Sequence, residues 1–426
     1  MLRLLRTCRI NSILPSFVKN RSAMSTQTEL NAAPSEAVPD SNKRPLEEQV
    51  DNSEIKKKKF DRIKKKNFAF MLGYLGKDYY GMQRNPNMRT IEEDLITAMF
   101  KAKLIDEEAF ETIQYTNFQR AARTDKGVSA TRQICSAKLP DYANIDDINQ
   151  FLPKEIRVFG IKRVTKGFNS KSQCNARTYT YTLPTFAFAP DDTTLMDRGP
   201  PTEEELAKRV EELKIIDGKP YTEFRMSPEL REKVNSVLKL FEGTHNFHNF
   251  TSRVRAFDPR ANRYMMKCQI LETHISKDNI EFATLQVKGQ SFMLHQIRKM
   301  VALTISIVRN LATEEAVEES FKPDKWDIPI APGLGLVLNH VHYDNYNKRY
   351  GADGIHEQLE WSDCEEAVQK FHNEFILPHI EETELKEQSM LLWLGDLAMH
   401  KIGPHDEDEE NNKQKQDDDE DADINE

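Results

Sequence analysis

A chain of 426 residues is long enough for two domains or one large bilobed unit with a substantial core. No stretch is long and apolar enough to span a bilayer as a helix, and the five cysteines (Cys8, Cys135, Cys174, Cys268 and Cys364) show neither paired zinc spacing nor a disulfide framework. The formal net charge of −9 argues against a nucleic-acid binder only until it is located: residues 405–426 carry twelve acids and two lysines, so the rest of the chain is near +1 and can gather lysine and arginine on one face.

At the start of the chain, Arg3, Arg6, Arg9, Lys19 and Arg21 alternate with Leu2, Leu4, Leu5, Ile10, Ile13, Leu14 and Phe17, and the first acid is Glu29. This is the composition of a mitochondrial presequence. Met24 opens a second start whose product lacks it. Eleven residues separate Lys43-Arg44 from Lys56-Lys57-Lys58-Lys59, with Lys64-Lys65-Lys66 beyond, the layout of a bipartite nuclear import signal. Residues 1–66 are expected to be a disordered targeting and basic arm, directing the protein to mitochondria and nucleus through starts at Met1 and Met24. The same lysines would also add phosphate affinity.

Past Lys66 the pattern becomes that of a folded domain. A strand is expected at Phe68–Leu75, then a helix on Ile91, Leu95, Ala98 and Met99 with Thr90 as N-cap. Arg123-Thr124-Asp125-Lys126-Gly127-Val128 sets one carboxylate between cations on a turn, and Gln133–Ala137 resumes as a half-buried strand. Such a turn also fits a surface ion pair; in a site, Arg123 would keep Asp125 ionised. Strands follow at Ile156–Val164 and Arg177–Phe188. Residues 190–225 read as a charged insertion with a helix at Glu203–Leu213, before a helix at Glu229–Phe241 and paired strands at Tyr264–His274 and Ile280–Val287. Phe292, Ile297, Met300, Val301, Leu303, Thr304 and Val308 fit a buried helix that carries Arg298, a cation that needs a partner there. Residues 405–426 are too charged to bury themselves and are expected to be a disordered acidic tail that aids solubility or competes with an anionic ligand. Strands interspersed with helices give an α/β or α+β class, with the strand order open.

The order of several segments resembles that of the TruA-type tRNA pseudouridine synthases. Met71-Leu72-Gly73-Tyr74-Leu75-Gly76, Tyr80-Gly81-Met82-Gln83 and Thr90-Ile91-Glu92 resemble the opening signature, with Met82 where many members have tryptophan. The Asp125 loop resembles the catalytic motif, and Ala176-Arg177-Thr178-Tyr179-Thr180-Tyr181 the tyrosine strand. Gly289-Gln290-Ser291-Phe292-Met293-Leu294-His295-Gln296-Ile297-Arg298-Lys299-Met300 resembles the late arginine motif. Gly243-Thr244-His245-Asn246-Phe247-His248-Asn249-Phe250 and Ala331-Pro332-Gly333-Leu334-Gly335-Leu336 are supporting matches. The runs at Gly167–Lys171 and Thr182–Phe188 resemble the eukaryotic Pus1-like branch, with the Pus3-like branch as the neighbouring alternative.

That resemblance implies an α+β fold of two halves, 67–170 and 171–404, whose sheets join into one mixed, largely antiparallel β-sheet flanked by helices around a central basic active-site cleft. It implies Asp125 as the catalytic aspartate, acting as nucleophile on C1′ or as base at C2′. Tyr179 would wall the base, Arg298 would pair with Asp125, and Arg123 would accompany base flipping. Arg177, Lys126, His245 and Phe247 are the further candidate substrate contacts. A Tyr-Thr-Tyr strand also fits aromatics that cover a core. Arg253, Arg255, Arg260 and Arg263, with Phe257 between them, form a candidate RNA strip that also fits a solvated loop. His245 and His248 could share a helical face but lack a third metal ligand, and no metal is expected. No phosphate-cradling or dinucleotide motif is visible, so no cofactor is expected. The implied partner is tRNA, around the anticodon stem-loop, with small nuclear RNA and messenger RNA as further targets, no membrane, and monomer and homodimer both open. A non-catalytic RNA-binding scaffold is the alternative of a different class.

Overall fold

The computed structural model describes residues 64–191, 202–398, 400 and 402–404. The presequence, the Met24 start and most of the basic import run lie outside the described residues, as do positions 192–201 of the expected insertion and the acidic tail from 405 onward.

Strand β1 (Lys65–Tyr74) begins inside the last basic run and is buried from Phe68 to its end, which accounts for its continuous apolar composition. β2 (Gln119–Arg120) is short. β3 (Ser129–Pro140) is longer than the five-residue run Gln133–Ala137 that signalled it. β4 (Ile156–Arg163) and β5 (Ala176–Pro184) follow, and β5 stops four residues before the expected end because Thr185–Phe188 turns into a 3₁₀ segment. β6 (Gly243–Asn246), β7 (Asn262–Ile275), β8 (Glu281–Gly289) and β9 (Leu336–His342) complete the main sheet.

Among the described residues this is one nine-stranded sheet in the order β4-β1-β3-β9-β5-β8-β7-β6, with β2 beside β3. Every pairing is antiparallel except that of β9 with β3, which runs parallel through Val337 opposite Ser129 and Leu338 opposite Ala130. The late strand β9 thus bridges the strands that precede residue 164 to those that follow residue 175. Pattern reading gives β9 no strand assignment, and only its first residue, Leu336, falls in the glycine-bearing motif.

Helices pack on this sheet. α1 (Ile91–Lys101) is capped by Thr90, whose hydroxyl accepts from Glu93 N at 3.3 Å. α2 (Glu203–Leu213) lies in the insertion and starts with a full capping box between Thr202 and Glu205. α3 (Pro228–Lys239) packs against α4 (Gln296–Val308), which is buried almost all round. Within α4, Thr304 and Ser306 satisfy their hydroxyls on the carbonyls of Met300 and Ala302. Beyond α4, buried Arg309 donates to Asp191 at 2.7 Å, and Arg209 of α2 donates to the same carboxylate at 2.6 Å, which fastens the insertion to the core. Helices α5 (Leu377–Glu387) and α6 (Ser389–Leu397) were not anticipated from pattern; α6 lies against α2, where a Cβ at Gly395 would meet Leu206 and Val210.

Gly335 is required by contact. A Cβ there would lie 1.8 Å from the Thr182 carbonyl oxygen, while Thr182 N donates to Gly335 O at 3.0 Å. Gly335→Ala is expected to destabilise by about 3 kcal/mol, because sheet backbone and not a flexible side chain must give way. A lowered urea midpoint at unchanged m-value would register it, and an unchanged midpoint would contradict the packing described.

Candidate active site

The Asp125 loop joins β2 to β3 and is clamped by the glycine-rich segment after β1. Met82 N donates to Thr124 O at 3.1 Å, Gly127 N to Tyr79 O at 3.1 Å and Gly76 N to Ser129 Oγ at 3.0 Å. Gly81, at φ 104°, has no room for a Cβ against Thr124 O. Met82, in the position where tryptophan was noted as common, is fully buried and fills core. Behind the loop, Tyr74 Oη and Thr124 Oγ1 share a hydrogen bond of 2.8 Å, and buried Gln133 bonds both the N–H and the carbonyl of Ala122. Val128 N closes a turn on Asp125 O at 3.1 Å, with Gly127 at φ 78°, the positive value that a type II turn needs at its third position.

Asp125 keeps an exposed edge, yet its carboxyl titrates above the usual carboxylate range. Burial is the larger cause, and His295 and then Arg298 pull the other way. Arg298 thus favours the ionised form, as expected, while loss of water outweighs the cations in the net direction. Arg123 is exposed, and its charge is felt at Glu92, whose carboxyl is pushed up by burial and pulled down chiefly by Arg120. Lys126 is also exposed and sits over the Tyr80 ring at 4.7 Å.

Tyr179 lies on β5, 8% exposed, with its ring edge-to-face against Phe292 at 5.2 Å. Burial raises its phenol, Arg177 opposes this and Asp125 adds to it, so Tyr179 and Asp125 lie within electrostatic reach of each other. Arg177 points elsewhere than to an open surface. Its Nη2 and Nε donate to Ala121 O at 2.7 and 3.2 Å, and its Nη1 donates to Gln290 O at 2.9 Å. One guanidinium therefore ties the approach to the Asp125 loop to the segment that leads into α4.

α4 contributes the third side. His295 precedes it at φ 62°, an uncommon conformation for a residue with a Cβ, and the N-terminal turn is closed by Gln296, whose Oε1 accepts from Met293 N at 2.9 Å. Arg298 donates through Nε to Ala331 O at 2.6 Å and lies beside Gly333. Burial lowers the His295 imidazole, Arg298 adds to this, and Asp125 opposes. His295 was visible only as a letter inside the late motif; a single histidine gives no sequence signal, and the fold alone brings it to Asp125.

His245 and Phe247 are placed in packing. The His245 ring stacks on Phe321 at 4.3 Å, and its Nε2 shares a hydrogen bond of 2.8 Å with Glu242 O. Phe247 has no exposed surface and meets Phe250 and Phe321 edge-on. His245 stands on β6 and His248 in a 3₁₀ turn, so the two do not share a helical face.

Comparison with known proteins agrees with this arrangement. A family model described as tRNA pseudouridine synthase matches residues 237–344, a span that holds α4 and Arg298 and ends with β9. The pseudouridylate synthase 1 homolog of Mus musculus is 44% identical over 343 residues, covering 80% of this chain and 75% of its own. The Homo sapiens pseudouridylate synthase 1 homolog is 45% identical over 336 residues, covering 78% and 73%. The tRNA pseudouridine synthase 1 of Yarrowia lipolytica is 33% identical over 382 residues, covering 75% and 71%. Likeness of this extent, over a mixed sheet that gathers Asp125, Tyr179 and Arg298, shows that the chain belongs to the TruA-type tRNA pseudouridine synthases, a family of isomerases.

Proposed function

We propose that this protein isomerises uridines of tRNA to pseudouridine, with Asp125 as its catalytic carboxylate. The observation that carries the reading is the convergence on one carboxyl of groups from three separate segments: Asp125 from the β2–β3 loop, Tyr179 from β5, and His295 with Arg298 from the start of α4. The reaction breaks the N1–C1′ bond, turns the uracil, joins C5 to C1′, and moves the C5 proton away while N1 gains one. The base must leave its stack and be held while detached. Asp125 serves either as nucleophile at C1′ or as base at C2′. Tyr179 keeps its phenolic proton and offers a flat, mostly buried ring against which uracil packs. Arg298 compensates charge at Asp125, and Arg123, whose exposure supports the reading, follows the flipped nucleotide and contacts its backbone. Arg177 acts as a brace between the loops. Uridines in and near the anticodon stem-loop are the proposed targets, with small nuclear RNA and messenger RNA as further substrates, in mitochondria and nucleus.

The test is conversion of an unmodified tRNA transcript by the purified protein, with pseudouridine mapped by carbodiimide-dependent reverse-transcription stops. New stops at defined uridines are expected. Tight binding without conversion across a panel of tRNAs would favour the RNA-binding scaffold.

A further inference from the structure

We propose that the loop 252–260 is a second RNA contact, in which an unpaired nucleobase stacks on Phe257 while Arg253 and Arg255 hold the adjacent phosphates. It rests on the reading of the protein as an RNA-modifying enzyme and adds a place where the RNA is held away from the reacting uridine.

Phe257 is 88% exposed, on a loop that is tied down. The Asn246 amide donates to Ala256 O, Asp258 N donates to Arg255 O at 3.1 Å, and Ala261 N donates to Asp258 O at 2.9 Å. Arg253 is held at φ 62°, a backbone state that side chains with a Cβ avoid and that the surrounding loop must maintain. Together Arg253, Arg255, Phe257, Asp258 and Arg260 line an open surface pocket of about 470 Å³.

The four arginines seen in the sequence separate into two kinds. Arg260 is committed to Asp258, through Nε at 2.9 Å and Nη2 at 2.6 Å, so the acid in the pocket is neutralised from within. Arg263 is half-buried and donates to Asn262 O. Arg253 and Arg255 are exposed and have no side-chain hydrogen bond among the described residues. Two uncommitted guanidinium groups beside an exposed aromatic ring match the chemistry of an unpaired nucleotide, which offers a π-face and a phosphate together. A peptide without acidic or phosphorylated residues would supply the ring contact but not the anionic charges.

The loop also stands at the end of the sheet that carries the active site. At one foot, Lys299 of α4 donates to Asn249 O at 3.0 Å. At the other, Gln290 N donates to Tyr264 O at 3.0 Å, and Gln290 O accepts from Arg177, the brace of the Asp125 loop.

The experiment uses the full-length protein and an unmodified tRNA transcript. Phe257→Ala is expected to weaken binding about tenfold, Phe257→Trp to restore it, and Arg253→Ala with Arg255→Ala to lower the slope of log Kd against log salt by roughly one to two. Ile355→Ala, an equally small change at a residue 66% exposed elsewhere, is the control expected to leave Kd unaltered. Melting temperatures should match wild type, since Phe257 buries almost nothing. Unchanged binding for Phe257→Ala, or equal losses for Phe257→Ala and Ile355→Ala, would overturn the proposal. Failure of the enzymatic reading is told apart by the conversion assay on wild type: binding without any conversion defeats that reading, whereas the Kd series reports on the loop by itself.

Discussion

Asp125→Asn is expected to lower pseudouridine formation by about a thousandfold or more while tRNA affinity stays the same or tightens slightly. The substitution keeps the shape of the side chain but removes both the nucleophilic oxygen and the base, and a positioned base alone contributes up to about 10⁴-fold. It also removes a negative charge from a surface that must face phosphates. The same variant carries a pH signature. Because the Asp125 carboxyl is raised, mainly by burial and against the pull of His295 and Arg298, the active ionised form should appear on the alkaline side of the ordinary carboxylate value of about 4. The rate should climb through that displaced point. Stability runs the other way: a raised folded pKa favours the native state fully below the ordinary carboxylate value, and that contribution is lost as pH rises through the folded value. Asp125→Asn should therefore melt above wild type at neutral pH, with the gap closing in acid. A variant that melts lower than wild type at neutral pH, or an acid limb at the ordinary carboxylate value, would sink this account of the site.

Arg177→Ala is expected to reduce kcat about a hundredfold with tRNA affinity within about threefold of wild type. Its guanidinium holds Ala121 O and Gln290 O at once, and releasing both lets the Asp125 loop and the segment before α4 drift; a misplacement of about 1 Å is enough for a loss of that size. Arg177→Lys should not rescue, since one ammonium cannot reproduce a planar fork that reaches two carbonyls in different directions. Single-turnover kinetics with saturating enzyme separate the readings. If the rate recovers fully at saturation and only Kd suffers, Arg177 touches RNA directly and the brace is the wrong description.

The segments that carry the chemistry were legible because their signals are local. A turn with Gly127 at its third position, a Tyr-Thr-Tyr strand and an apolar helix interrupted by one arginine each follow from neighbours a few residues away, and the bounds of α2 agreed with its capping residues Thr202 and Glu205. His245 and Phe247 show the limit of that approach. Both sit in a segment that matched in order, but exposure is a property of the packed molecule, and the Phe250 and Phe321 rings close over Phe247. The arginine strip shows the same limit: four equal letters became two uncommitted side chains and two committed ones, Arg260 on Asp258 and Arg263 on Asn262 O, only in the folded loop.

By itself the sequence determined most element positions from side-chain type and short-range periodicity, and its ordered motifs carried the family resemblance, which in turn implied the α+β class and Asp125, Tyr179 and Arg298 as candidates. Only the tertiary structure decided the rest. It set β9 parallel to β3 between the earlier and later strands, brought His295 to Asp125, turned Arg177 inward as a brace, and made burial outweigh the cations at the Asp125 carboxyl. Those outcomes depend on which residues far apart in the chain exclude water from one another. A one-dimensional pattern contains the residue types for such contacts but not the distances at which they act.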